Sequence, residues 1–247
     1  MNYRNVLGCD TFSITARCER TGMMGIGITT KALCVSARCP HVKPRVGAIS
    51  TQSFTDPRTG LLGMKLLEMG YSAPKVMKEI KDSDPYIEYR QISVVDKDGN
   101  TMAHTGSKNR DWAGHVVKKN FITMGNCLTG EQVVKAMADA FESSADEALE
   151  ERLLQAIEAG RDAGGQIGGH LSSGLLVYDW EVFPRVSLRV DHHREPIKEL
   201  RRIFELYKPL IPYYSKLPSD PSIAEHSDDW LRSQGKEDIL KQIFFLE

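Results

Sequence analysis

Residues 5–18, NVLGCDTFSITARC, contain the stretch that decides the fold. From Thr11 to Ala16 hydroxyl and apolar side chains alternate, and a period of two is typical of a buried strand. The turn residues at 20–22 (RTG) precede a second strand at 24–30, so the two segments predict a β-hairpin. In the second strand Gly25 and Gly27 alternate with isoleucines. One face of that strand is therefore nearly bare, which suits the close approach of a backbone, a helix or a ligand.

The composition of the 247-residue chain is that of a globular protein, with 41% hydrophobic and 26% charged residues. A formal net charge of −1 gives no overall field that would favour nucleic acid or a membrane surface. No run approaches the ~20 apolar residues of a membrane span, and the N-terminus lacks the apolar segment of a signal peptide. We therefore expect a cytoplasmic protein with neither kind of partner.

The 5 cysteines are irregularly spaced and include no Cys-x-x-Cys pair, which favours reduced thiols over a zinc site. Asp191, His192 and His193, with His170, are the residues that suggest a metal. Adjacent residues of a strand point to opposite faces, so we expect no metal there. The glycines at 164–169 do not open a helix after a strand, which argues against a dinucleotide site, and we expect no cofactor.

Strands and helices occur in clusters along the chain. After the proline-rich loop at 40–44, the patterns predict strands at 46–54, 91–95, 101–105, 121–124, 171–178 and 186–190, and helices from 56, from 72, at 130–143, at 146–159 and at 196–207. Clustering favours an α+β fold with mainly antiparallel sheets over a doubly wound parallel fold. We expect an N-terminal extension at 1–10, one domain at 11–207 and a helical arm at 208–247.

Several tracts stand in a distinctive order: TFSITA from 11, GIGITTK from 25, VGAISTQSFTDPRTG from 46, RQISVVDKDGNTMAHTG from 90, WAGHVVKKNFITMGN from 112, GRDAGG from 160 and LRVDHHREPIKELRRI from 188. Together they resemble the DUF1028 family, which is placed in the Ntn-hydrolase superfamily. The resemblance covers about residues 11–207. It implies a four-layer αββα sandwich, in which two antiparallel sheets lie face to face with helices outside.

The resemblance also implies a chemistry. Ntn hydrolases use the first residue of the mature chain as nucleophile and its own α-amino group, with an ordinary pKa near ~8, as base. That residue corresponds to Thr11, yet ten residues precede it here, whereas in many members the motif starts at or near the mature terminus. Three alternatives follow. The chain is cut before Thr11, or it is cut before Cys9 and that cysteine is the nucleophile, or it is not cut and Thr11 is an ordinary strand residue.

Two residues at predicted strand ends are candidates for catalytic roles beside Thr11. Lys31 would lower the pKa of the terminal amine by like-charge repulsion, or it is a solvent-facing lysine. Asn126 would donate its amide N–H to an oxyanion, or it is a turn asparagine.

Four other residues are candidates for substrate binding. Thr51 and Gln52 lie in an otherwise apolar strand, so their polar groups need partners, either in a pocket or in a loop backbone. With Gln52, Arg58 and His170 would hold the polar end of a substrate; His170 follows two flexible glycines.

The leading hypothesis is a hydrolase of a C–N bond, amide or ureido-type, in a small polar molecule. Two alternatives remain open: a non-catalytic binding or assembly protein on the same fold, and a hydrolase that acts without processing through internal residues such as His170 or Cys9. Trp230, Ile243, Phe244 and Phe245 near the C-terminus favour a homo-oligomer, because a partner subunit would cover them.

Overall fold

The hairpin at the start of the chain forms the centre of the larger of two sheets. The structure is a computed structural model that describes residues 10–223 and 226–245. Strand β1 (Thr11–Arg17) pairs with β2 (Met24–Thr30) in antiparallel register, with Thr11 opposite Thr30 and Ala16 opposite Gly25. The predicted hairpin is therefore confirmed.

The other described strands are β3 (Pro40–Lys43), β4 (Gly47–Ser53), β5 (Arg90–Asp96), β6 (Thr101–Thr105), β7 (Trp112–Lys118), β8 (Phe121–Leu128), β9 (Ser172–Tyr178) and β10 (Val186–Val190). They form a six-stranded sheet in the order β10-β9-β2-β1-β8-β7 and a four-stranded sheet in the order β3-β4-β5-β6. All of these strand pairs are antiparallel.

The described α-helices are α1 (Pro57–Glu68), α2 (Ala73–Ser83), α3 (Gln132–Ser143), α4 (Leu149–Asp162), α5 (Pro196–Tyr207), α6 (Ile211–Lys216), α7 (Ser227–Ser233) and α8 (Glu237–Phe244). Helices α1 and α2 pack on the four-stranded sheet through a cluster that includes Ile49, Met77 and Ile80. Helices α3 and α4 cover the six-stranded sheet. Helices lie outside two antiparallel sheets, which confirms the predicted α+β sandwich.

The alternation in β1 separates its two faces. Ser13 Oγ donates to Gln52 Oε1 at 2.7 Å, and the hydroxyl oxygens of Thr15 and Ser93 lie 2.7 Å apart. The hydroxyl face of β1 therefore meets the four-stranded sheet. The apolar face, which carries the fully buried Phe12, meets the helix layer.

Helix α4 is what approaches the bare face of β2. A Cβ atom added at Gly27 would lie 2.7 Å from Ile157 Cδ1, and one added at Gly25 would lie 2.8 Å from Leu153 Cδ1. Only the absence of side chains on these two glycines lets the helix pack so near the sheet.

Two strands differ from the sequence prediction. Residues 40–44 were expected to form a loop, but Pro40–Lys43 forms the edge strand β3, where a proline at the first position costs no sheet hydrogen bond. Strand β7 lies at the edge of the other sheet and is largely half-buried or exposed, so its sequence has no regular alternation of apolar residues.

The chain divides into two compact units, Met1–Ile197 and Lys198–Glu247, so the division falls inside α5. The second unit has a small core of its own, formed by Leu210, Leu231 and Leu240, with Trp230 and Ile243 packed against it. Phe244 and Phe245 are exposed. The domain limits at 10/11 and 207/208 and the homo-oligomer stay predictions.

Among the described residues no helix combines the length and the apolar character that crossing a membrane requires. The cysteines of the described part, Cys18, Cys34, Cys39 and Cys127, are thiols.

Candidate functional site

Thr11, the first residue of β1, lines a pocket of about 400 Å³. It lies between two strands, with Thr30 of β2 opposite it on one side and Asn126 of β8 on the other. Opposite residues of an antiparallel pair project from the same face, so all three side chains lie on the face directed at the second sheet. Thr11 is only 4% exposed, so its hydroxyl is partly shielded from water.

A chain of hydroxyl groups links Thr11 to the peptide bond that precedes it. The Oγ1 atoms of Thr11 and Thr30 lie 3.0 Å apart, and Thr30 Oγ1 donates to the carbonyl oxygen of Asp10. Because a threonine hydroxyl has one hydrogen, Thr30 must accept from Thr11 while it donates to Asp10. The backbone N–H of Lys31 also donates to the Asp10 carbonyl oxygen, at 3.2 Å.

Next to Thr11, three buried amide side chains form a hydrogen-bonded network. Gln52 Nε2 donates to Gln91 Oε1 at 2.8 Å and, more weakly, to the carbonyl oxygen of Thr11 at 3.4 Å. Gln91 Nε2 in turn donates to the Gly125 carbonyl oxygen at 2.8 Å. The network ties the first residue of β1 to both sheets, and it gives Gln52 partners inside the protein.

Asn126 belongs to this network through one side of its amide. Its Nδ2 donates to Gln91 Oε1 at 3.0 Å, whereas its Oδ1 is buried and has no hydrogen-bond partner among the described residues. A buried acceptor without a donor is costly and calls for an explanation. Asn126 therefore offers an unpartnered acceptor that suits an N–H group, and the bond to Gln91 uses only one of the two hydrogens on Nδ2. Its expected role as a donor to an oxyanion stays a prediction.

Lys31 follows directly after β2, and its contribution beside Thr11 is its backbone N–H. The side chain of Lys31 lies close to Gly168 in the glycine-rich loop. A Cβ atom added at Gly168 would collide with Lys31 Nζ.

The other candidates lie away from the pocket. Thr51 Oγ1 lies 2.9 Å from Thr55 Oγ1, and Thr55 but not Thr51 lines the pocket. Arg58, near the start of α1, is exposed and forms an ion pair with the capping residue Asp56 at 2.7 Å. It lines a neighbouring cavity. Cys9 lies outside the described residues.

His170 lies on the other side of the sheet. Its ring packs edge-on against Phe12, with ring centroids 5.4 Å apart, and its Nδ1 lies 2.5 Å from Gln166 Oε1. Burial, with the nearby charge of Arg161, lowers the pKa of His170 to about 4. The imidazole is therefore neutral at physiological pH, on the face of the sheet that is turned away from Thr11.

The pocket also contains residues that the sequence did not single out. Arg38, Ser53, Phe54 and Arg90 line it with Thr11. Ser53 has φ of 68°, a left-handed conformation that is uncommon for serine, at the end of the strand that carries Gln52. Arg38 directly follows a short 3-10 helix, Val35–Ala37, in a segment with no local pattern that marks a site, so only the folded chain could bring it to Thr11. In the described parts of the chain, no group of three or more His, Cys, Asp or Glu residues could hold a metal ion.

A model of a family of unknown function, DUF1028, matches residues 11–200. The chain belongs to the DUF1028 family. Protein SPO2555 from Silicibacter pomeroyi, whose crystal structure is that of a DUF1028 protein, is 32% identical. The match covers 80% of this chain and 89% of that one, with a TM-score of 0.74. No curated protein matches the chain.

A second solved structure, Anbu (ancestral beta-subunit) from Yersinia bercovieri, is a more remote match, at 11% identity and a TM-score of 0.39. It covers 84% of this chain and 98% of that one. The family model starts at Thr11, the first residue of β1 and one of the residues that line the pocket.

Proposed function

We propose that this DUF1028 protein is a hydrolase of a C–N bond, amide or ureido-type, in a small polar molecule, with Thr11 as its terminal nucleophile. The observation that carries the proposal is the hydrogen-bonded chain from Thr11 through Thr30 to the Asp10 carbonyl, at the wall of a pocket. A structural threonine pair would account for one of these bonds. The Lys31 N–H bond to the same oxygen continues the β1–β2 ladder by one residue, so the bond that is particular to this site is the one from the Thr30 hydroxyl.

The first step is cleavage of the protein's own chain. Thr11 Oγ1 loses its proton and attacks the carbonyl carbon of Asp10, the Asp10–Thr11 C–N bond breaks as its nitrogen gains that proton, and an ester forms between the Asp10 carbonyl and Thr11 Oγ1. Water hydrolyses this ester, which leaves a carboxylate on Asp10 and an α-amino group on Thr11. The Thr30 hydroxyl and the Lys31 N–H already bond to the Asp10 oxygen, so they are in position to stabilise the oxyanion.

The second step repeats this chemistry on a substrate. The α-amino group of Thr11 takes the proton from Oγ1, which attacks the substrate carbonyl, and the substrate C–N bond breaks as its nitrogen accepts that proton. Water then hydrolyses the acyl ester and restores Thr11. Because the same oxygen attacks in both steps, the substrate carbonyl takes the place of the Asp10 carbonyl, and Thr30 and Lys31 supply the same two donors.

Asn126 acts as an acceptor in this scheme. Because its Oδ1 is buried without a partner among the described residues, we assign to that atom the task of accepting a hydrogen bond from the new α-amino group. Such a bond would orient the amine toward Oγ1 and would satisfy a buried acceptor. Gln52 keeps the carbonyl of Thr11 in place and is a positioning residue.

A screen of amides and ureides with three proteins tests the proposal: the wild type, Thr11→Ala and Thr11→Ser. We expect hydrolysis by the wild type, partial activity in Thr11→Ser, and a loss of roughly 10³-fold or more in Thr11→Ala. Circular dichroism and thermal melting establish that the variants are folded. Wild-type activity in Thr11→Ala would contradict the proposal and favour a site built from internal residues.

A further inference from the structure

We infer that the Thr11 pocket takes substrates that carry a carboxylate, and that the Arg38 guanidinium recognises this group. The inference rests on the proposed function for the position of the scissile bond, but the binding of the anion stands on the pocket alone.

The charges that line the pocket all have one sign. Arg38 and Arg90 are lining residues, and none of the lining residues in the described part carries a carboxylate. A cavity with cations on its wall and no acid raises the local concentration of anions and disfavours cationic ligands.

The two arginines are not equivalent. Arg90 is a largely buried side chain that is already engaged: its Nε donates to Asp84 Oδ2 at 2.9 Å, and its Nη1 donates to the carbonyl oxygen of Phe54. Asp56 Oδ2 also lies 4.0 Å from Arg90 Nη2. Arg90 is therefore held in place as part of the wall.

Arg38 has no such counter-charge. Its one hydrogen bond in the described chain is a long contact of 3.5 Å from Nη2 to the Leu33 carbonyl oxygen, and no carboxylate there forms an ion pair with it. A guanidinium presents N–H groups in a fork that fits the two oxygens of a carboxylate. Arg38 is thus the residue whose charge and donors remain available to a ligand.

The other residues that line the pocket restrict the size and the polarity of the ligand. Ala32, Val35 and Phe54 supply apolar surface beside Thr11 and Arg38. The volume of about 400 Å³ is near the lower end for small-molecule pockets. The substrate class is therefore an acid whose amide or ureido carbonyl reaches Thr11, with a short apolar connection to a carboxylate at Arg38.

Binding, measured apart from turnover, tests this inference. The protein is the wild-type full chain, because Thr11→Ala would keep the Asp10 carbonyl where the substrate carbonyl lies. The probes are 5-oxo-5-phenylpentanoic acid, a ketone with no C–N bond to break, and its methyl ester. The two probes share one skeleton and differ in one charge. We expect the acid to bind at least about tenfold more tightly than the ester, as a charge-assisted hydrogen bond would give. Calorimetric titration measures both dissociation constants.

Variants of two arginines locate the effect. Arg38→Gln should reduce the acid-to-ester ratio to about 1, and Arg38→Lys should keep part of it because the charge is retained. Arg58→Gln is the matched control, since Arg58 is exposed and lines the neighbouring cavity and not the Thr11 pocket; its ratio should equal that of the wild type. Equal binding of acid and ester, no binding of the acid at millimolar concentrations, or a ratio that survives Arg38→Gln would each overturn the inference.

The outcomes separate this inference from the proposed function. Preferential, Arg38-dependent binding of the acid by a wild-type chain that hydrolyses none of the screened amides and ureides would leave the anion site standing and contradict the hydrolase. Hydrolysis that depends on Thr11 but proceeds equally well with the acid and the ester would support the hydrolase and contradict the anion site.

Discussion

The hydroxyl oxygens of Thr11 and Thr30 lie 3.0 Å apart, on residues that face each other across the β1–β2 pair. This pairing follows from the alternation in both strands, because each has a threonine at the position where the strand meets the pocket. Through Thr30 the Thr11 hydroxyl is connected to the carbonyl that precedes it.

Thr30→Val should slow cleavage of the Asp10–Thr11 bond by roughly 10²-fold, because it removes one of two donors to the Asp10 carbonyl oxygen and keeps the shape of the side chain. A time course of intact mass after synthesis measures the cleaved fraction. Thr29→Val is the matched control: Thr29 is also buried in β2, but its hydroxyl donates to the Ser172 carbonyl oxygen. Equal cleavage of the Thr30→Val and Thr29→Val chains would count against the role of Thr30.

Gln91→Leu should lower the free energy of unfolding by about 3 kcal/mol, because it leaves the amide groups of Gln52 and Asn126 buried without their shared acceptor. Urea unfolding measures the change. Ser50→Ala provides the comparison. Ser50 Oγ is buried without a partner among the described residues, so its loss should change the free energy by less than about 0.5 kcal/mol. Similar costs for both variants would show that the network does not stabilise the protein.

His170 should make the protein less stable in acid. Its pKa is lowered from 6.5 to about 4 in the folded protein by burial and by Arg161. Between these two values the unfolded chain binds the extra proton, so stability is complete above pH 6.5 and falls as the pH drops toward 4. The loss is at most about 3 kcal/mol.

Urea unfolding of the wild type and of His170→Asn across this pH range tests the prediction. The variant should lose part of the pH dependence of stability in that interval; burial also lowers the pKa values of His41 and His115, which contribute the remainder. Because His170 lies on the far side of the sheet from Thr11, its replacement should leave cleavage before Thr11 unchanged. An unaltered pH dependence, or a loss of cleavage in a folded variant, would contradict the assignment.

Gly27→Ala should destabilise the protein by about 1–3 kcal/mol, because the new Cβ would lie 2.7 Å from Ile157 Cδ1. Ile157→Val removes this Cδ1 atom. The double variant should therefore lose less free energy of unfolding than the sum of the two single variants. Additive losses in urea unfolding would mean that α4 does not contact the bare face of β2 in this way.

The sequence was informative about the fold because its strongest signals are local. Alternation in β1, the glycines of β2 and the Asp56–Pro57 helix start all act within a few residues of chain. Arg58 N donates to Asp56 Oδ1 at 3.0 Å, as expected for a helix cap. Strands β3 and β7 were missed because an edge strand needs no regular apolar pattern when one side faces water.

The candidate site was only partly predictable, since it is assembled from distant segments. Thr11 was selected through the resemblance to the DUF1028 family, and Asn126 through its place at a strand end together with that resemblance. Gln52 could be selected because polar residues within buried strands need partners. Gln91 carries the same signal, a glutamine at the start of a buried apolar strand, and could have been found with it. His170 was selected for its loop, but no local pattern reveals on which face of a sheet a loop packs. Its assignment to the substrate, like that of Thr51 and Arg58, stays a prediction.

Intact mass of the purified full chain tests the central claim most directly. The account predicts that the wild type has a mass corresponding to a chain that begins at Thr11, and that Thr11→Ala keeps residues 1–10. A wild-type chain that keeps those residues while it hydrolyses its substrate would contradict the account, because the base it requires, the α-amino group of Thr11, would not exist.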